Sequence, residues 1–96
     1  MKTNQHVIIR AAQAGVFAGF LKKKDGDEVT LTQARRIWQW SGAATLSQLA
    51  VEGTKNPEGC KFPQAVEEIT VLGVIEIIPT STISQESINS VPVWKR

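Results

Sequence analysis

The sequence contains one cysteine (Cys60), one histidine (His6), no tyrosine and no long apolar run. A single thiol excludes an intramolecular disulfide framework and a zinc site built from several thiolates, and gives no reason to assign an oxidising compartment. A lone histidine, with no motif joining it to Cys60 or to any serine, argues against nucleophilic catalysis, so no catalytic residue is expected. The longest mildly apolar stretch, residues 11–21, is interrupted by Gln13. It falls well short of the roughly 18–20 residues of a membrane-spanning helix. The start of the chain lacks the apolar core of a secretory leader, so the expectation is a cytoplasmic protein with no membrane partner.

Charge of one sign is also scarce. Eleven Lys and Arg against nine Asp and Glu leave +2, too little to drive non-specific binding to duplex DNA, where affinity comes from neutralising many phosphates. Gly15 and Gly19 lack the lysine and Ser/Thr that complete a nucleoside-triphosphate loop. Glu67 and Glu68 are neighbours on an expected strand, point to opposite faces and make a poor metal-binding pair. Neither metal nor cofactor is therefore expected.

What remains is one small domain spanning residues 1–96. A chain of this size buries only about 60–65% of its unfolded surface, which favours assembly into an oligomer. His6 to Ala11 reads as a strand with apolar residues on both faces, and residues 15–21 as a second strand in which Gly15 and Gly19 allow close backbone approach. Asp25 and Gly26 supply a tight hairpin turn before a third strand beginning at Glu28. That strand extends through Trp40, with Arg36, Trp38 and Trp40 on one face and Arg35 and Ile37 on the other. Its apolar positions change from odd to even, which calls for a bulge or a change of packing partner near residues 33–35.

Thr45 and Gln48 have the spacing of a capping box for a helix of about two turns that stops at Gly53. Residues 54–63 form a polar loop ending in a short extended piece at Lys61 and Phe62. Residues 66–78 are one bent strand or two strands interrupted at Gly73. Thr82 and Gln85 cap a second short helix carrying Ile83 and Ile88, and Pro92 opens a tail. The fold class is α+β: a twisted antiparallel sheet of about five or six strands with two short helices.

The densest chemistry lies in residues 35–40, with Arg10 and Phe17 nearby in the sheet. Arginine forks bind phosphate bidentately and aromatic faces stack a purine, a combination suited to a small anionic nucleotide. Tryptophans at strand spacing also serve as core or interface residues, and Arg beside Trp can simply cover the ring. The small residues Gly42, Ala43 and Ala44 before the first helix offer backbone donors to an anion, although Thr45 and Gln48 already satisfy two of them. Lys22 to Lys24 read as a solvated hairpin tip, and His6 as a half-buried surface residue.

Residues 35–50, joined to residues 14–19 and 75–79, resemble the first family of Thoeris anti-defence proteins, small phage proteins that act as sponges for cyclic nucleotide immune signals. The resemblance spans roughly residues 6–93 and is strongest over Ala34, Arg35 and Arg36, the aromatic pair Trp38 and Trp40, and residues 42–47. It implies binding, without cleavage, of the cyclic ADP-ribose isomer made by TIR-domain enzymes, of cyclic trinucleotides made by cGAS-like enzymes, or of both. It further implies a homo-oligomer, a dimer or a hexamer built as three dimers, in the cytoplasm of an infected bacterium. On this resemblance Arg35 and Arg36 are phosphate donors and Arg10 reaches a neighbouring strand's ligand. Phe17, Trp38 and Trp40 stack or wall the pocket, and Ala43, Thr45, Ser47 and Gln48 make polar or backbone contacts near an oligomer axis. The chain departs from the family pattern at Ala12 and Gln13, where relatives carry an aromatic and a serine. The alternative from another class is a small protein-binding module anchored by Trp38, Trp40 and Trp94.

Overall fold

In the computed structural model, which describes residues 3–95, five strands and two helices follow one another as β1 (His6–Ala11), β2 (Gly15–Asp25), β3 (Glu28–Arg36), α1 (Leu46–Glu52), β4 (Val66–Val71), β5 (Val74–Pro79) and α2 (Thr82–Ser90). A single 3₁₀ turn, Pro57–Gly59, lies between α1 and β4. The four pairings between these strands are antiparallel and the spatial order is β4-β3-β2-β1-β5, so the fold is α+β as the sequence indicates.

Strands β4 and β5 are consecutive, separated only by Leu72 and Gly73, yet they occupy opposite edges of the sheet. Two residues reach about 10 Å at most, so the sheet has to roll until its edges approach each other. Two hydrogen bonds pin this corner: Val74 N–H donates to Asp27 O (2.9 Å) and Ala12 N–H to Gly73 O (2.9 Å). The curl is set by irregularities in the β2–β3 pairing, where the register slips between Ala18 and Phe20 and again between Leu21 and Lys23. At the first slip Gln33 adopts φ +49°, so that Gln33 and Ala34 together oppose Gly19. The switch in hydrophobic parity expected near residues 33–35 is thus a β-bulge, which bends a strand and increases its twist.

Rolling creates an inside and an outside, each with its own core. Val7, Ile9, Ala11, Phe17, Leu21, Val29, Leu31, Ala34, Val71 and Val74 fill the concave interior. Ile8 and Ala18 face outward and meet Leu49 and Ala50 of α1, Ile88 of α2, and Ile37, Cys60, Phe62 and Val91 from the connections. This explains the unbroken apolar run of β1, which is buried on both faces.

Several expectations shift in detail. Strand β2 runs on through the lysines to Asp25, and the hairpin loop is Gly26 and Asp27, with Gly26 at φ +62°. Strand β3 stops at Arg36 rather than Trp40 because its partner ends: Arg36 pairs with Phe17, Ile37 N–H reaches Val16 O, and β2 begins only at Gly15. The chain then turns to Lys61, whose carbonyl accepts from Trp38 and Gln39. Residues 66–78 are two strands with Gly73 (φ +72°) in the turn. Helix α1 is capped by Thr45 and ends at Gly53, as expected. Helix α2 is capped one residue earlier than expected, by Ser81 Oγ accepting from Ser84 N–H (3.0 Å), which turns Ser84 and Ile88 inward and leaves Ile83 exposed.

Gly19 is the small residue that admits the bulge. A Cβ there would lie 3.0 Å from Thr32 O, 3.1 Å from Ala34 Cα and 3.2 Å from Leu31 Cβ. Gly19→Val is expected to lower unfolding stability by about 1–3 kcal/mol through overpacking against backbone, measured by urea denaturation. An unchanged midpoint would show that the bulge backbone yields freely.

Candidate functional site

The adjacent arginines at the end of β3 have opposite fates, because the bulge at Gln33 sets which of them faces out. Arg35 is buried under the connections on the convex face, at 7% exposure. Its guanidinium donates to Pro63 O (Nε, 3.2 Å), Ile88 O and Val91 O (3.0 and 2.9 Å), and Phe62 O and Pro92 O (2.8 and 3.4 Å). It also lies 5.4 Å from the centroid of Phe62. Burial pushes its pKa down from the ordinary arginine value, while the carbonyls at the end of α2 supply the negative end of a helix dipole as its counter-charge. Every N–H direction of the fork is occupied. The expectation that Arg35 donates to a ligand phosphate is therefore corrected: it is a clamp tying the sheet to the end of α2 and the tail.

Arg36 is exposed. Its guanidinium carbon sits 4.4 Å over the Phe17 ring centroid and its Nη1 donates to Ala14 O (2.8 Å). Phe17 is buried within the concave core, so the ring supports the guanidinium from below and is not itself a free stacking face. A cation–π contact and one carbonyl bond hold the fork in place, and its other N–H groups have no protein partner among the described residues. Trp38 stands two residues further on, beyond buried Ile37, and is 64% exposed.

The remaining candidates lie elsewhere. Arg10 pairs across the sheet with Val16, while its neighbour Ile9 pairs with Phe17, so Arg10 faces away from Arg36. Its Nε bonds Glu76 Oε1 at 3.2 Å in an exposed ion pair. Trp40 does not share Trp38's environment: with Ala43 and Leu46 it packs, partly buried, against the convex core. Thr45 Oγ1 accepts from Gln48 N–H (3.1 Å), and Gln48 Oε1 accepts from Ala44 N–H (2.8 Å). These side chains are spent on capping α1, whose first turn also carries exposed Ser47. The ten expected residues therefore divide into a clamp (Arg35), a concave-side pair (Phe17, Arg36), a convex-side group (Arg10, Trp40, Ala43, Thr45, Ser47, Gln48) and the exposed Trp38.

Two features carried no usable sequence signal. The carbonyl of Ala14, which positions Arg36, belongs to the β1–β2 turn, where Gly15 adopts φ +99°. His6 is buried rather than half-buried. Its Nδ1 lies 2.6 Å from Thr80 Oγ1, which also lies 3.0 Å from His6 O. Its ring meets Phe20 edge-on at 5.1 Å. Among the described residues no three His, Cys, Asp or Glu side chains gather as a metal site, and no helix is long and apolar enough to cross a membrane.

Arg35→Met removes five charged donations and leaves the buried Val91 carbonyl without its donor, so we expect a loss of at least about 3 kcal/mol in urea denaturation, against less than about 1 kcal/mol for Arg36→Ala. Equal losses would contradict the division between clamp and site. Burial lowers the His6 pKa below its ordinary 6.5. The unfolded chain therefore takes up this proton first as pH falls, and His6's contribution, complete above about 6.5, declines below it. Between pH 7 and 5 the stability of His6→Gln should fall less steeply than that of the parent; parallel slopes would mean His6 titrates normally in the fold.

No curated protein and no solved structure matches the chain. A family model does, over residues 4–88. The chain belongs to the family described as Domain of unknown function (DUF6948).

Proposed function

We propose that this protein binds a cyclic nucleotide signal, a cyclic ADP-ribose isomer or a cyclic trinucleotide, and sequesters it without cleavage, as a phage counter-measure acting in the cytoplasm of an infected bacterium. The observation that carries this reading is the Arg36 fork, pre-positioned by Phe17 and Ala14 O with its other donors unspent, with the exposed Trp38 two residues further along the chain. A positioned guanidinium and an exposed aromatic suit a ligand that presents both phosphates and bases. The resemblance of residues 35–50 to the Thoeris anti-defence sponges supports the same choice. Arg36 and Trp38 are both exposed, so a second copy of the chain would complete the enclosure of a multi-phosphate ligand, in a dimer or a larger ring.

Sequestration requires no general acid or base. His6, engaged by Thr80 and Phe20 at the other end of the β1–β2 pairing from Arg36, takes no part in binding here. A protein-binding module is the second reading, favoured by the exposure of Trp38. It loses two of its three expected anchors, because Trp40 packs on the convex core and Trp94 is partly covered, with Lys61 Nζ 5.5 Å from its ring centroid.

Titration calorimetry with cyclic ADP-ribose isomers and cyclic di- and trinucleotides should find at least one that binds, recoverable intact after the protein is denatured. Arg36→Ala should weaken that binding about 10- to 100-fold, the value of one or more charged hydrogen bonds. Absence of binding to every compound would refute the proposal, and a converted product would make the protein an enzyme.

A further inference from the structure

The rolled sheet has two free edges, and they are protected unequally. On β5 the register slips between Arg10 and Ala11, leaving Ile75 unpaired, and the strand ends at Pro79, which has no N–H to offer. A bulge and a proline are devices by which proteins discourage further strand pairing. The opposite edge lacks both. Strand β4 pairs with β3 at constant register from Val66 opposite Ala34 to Val71 opposite Val29. Its six residues contain neither glycine nor proline, and Val66, Glu67, Glu68 and Thr70 are all exposed. A regular, open edge of this kind presents unpaired backbone groups as a template for another strand.

Charge determines which strand fits. The Glu68 carboxylate is bound by Lys22 Nζ at 2.6 Å. Glu67 has no cationic partner among the described residues. Antiparallel pairing of β4 with its own copy about a two-fold axis would, in the two registers of greatest overlap, set Glu68 of one chain directly opposite or diagonal to Glu68 of the other, an arrangement of like charges that disfavours self-pairing. A partner strand bearing lysine or arginine meets the opposite situation: it gains the backbone ladder and neutralises Glu67.

We propose that the free edge of β4 receives an extended, basic segment of a partner polypeptide as a sixth strand. This surface is independent of Arg36 and Trp38. Nearly full-length order of the sheet is needed for the edge to exist, so the test uses the whole chain. Hydrogen exchange of the β4 amides is followed by NMR while a capped Lys-Val-Lys-Val-Lys-Val peptide or its Glu-Val counterpart is added. The lysine peptide should slow the fast-exchanging amides of β4 by at least about tenfold, with the glutamate peptide inert. Glu67→Lys, at an exposed position, should weaken protection by the lysine peptide and permit protection by the glutamate peptide, the same spectrum reporting that the sheet is intact. Equal protection by both peptides, protection by neither, or β4 amides already protected by self-association without peptide would each overturn the proposal.

Discussion

Five backbone carbonyls converge on the guanidinium of Arg35, and through them the sheet holds the parts of the chain that have least secondary structure of their own. Phe62 and Pro63 belong to the long connection before β4, Ile88 and Val91 to the end of α2, and Pro92 to the tail. A seven-residue and a nine-residue helix are too short to be stable alone. They persist because the convex core covers one side of them and this charge-assisted fork fixes where α2 ends. Phe62 O and Ile88 O also accept from Trp94 N–H and Val91 N–H, while Val91 O has Arg35 as its donor in a buried contact, so the arginine helps fix where α2 and the tail meet the sheet.

The bulge at Gln33 makes that arrangement possible. In a regular strand the odd positions of β3, which begin inward with Val29 and Leu31, would place Arg35 in the concave core. The extra residue opposite Gly19 reverses the parity, so Ala34 turns inward, Arg35 turns toward the helices, and Arg36 lies over Phe17 at the rim. One local irregularity thus sends two adjacent identical residues to different places, Arg35 buried under the helices and Arg36 exposed at the rim. Arg36 and Trp38 are both left exposed.

Much of the fold was legible because it rests on local chemistry. The glycines at the hairpin and at the end of α1 announced where those elements stop, Gly73 announced an interruption in residues 66–78, Thr45 announced α1, and the parity switch in β3 announced a bulge or a change of packing partner. The rolled sheet was not legible: only the pairing of β3 with β4, a long-range contact, places β4 and β5 on opposite edges. The site was harder to read for the same reason. Arg35 and Arg36 are the same amino acid in the same motif, and only the carbonyls of residues distant in sequence show that one of them is spent. Trp40 looked equivalent to Trp38 on a strand period that no longer applies once β2 has ended and the chain turns to Lys61.

The division between the two arginines can be observed directly in the NMR spectrum of arginine Nε–H groups, recorded on the intact chain as a binding cyclic nucleotide is added. The account predicts an Arg35 signal that exchanges slowly with water and stays fixed throughout the titration, and an Arg36 signal that exchanges quickly at first, then shifts and becomes protected as ligand binds. An Arg35 signal that exchanges rapidly and moves with ligand, while that of Arg36 stays fixed, would contradict it.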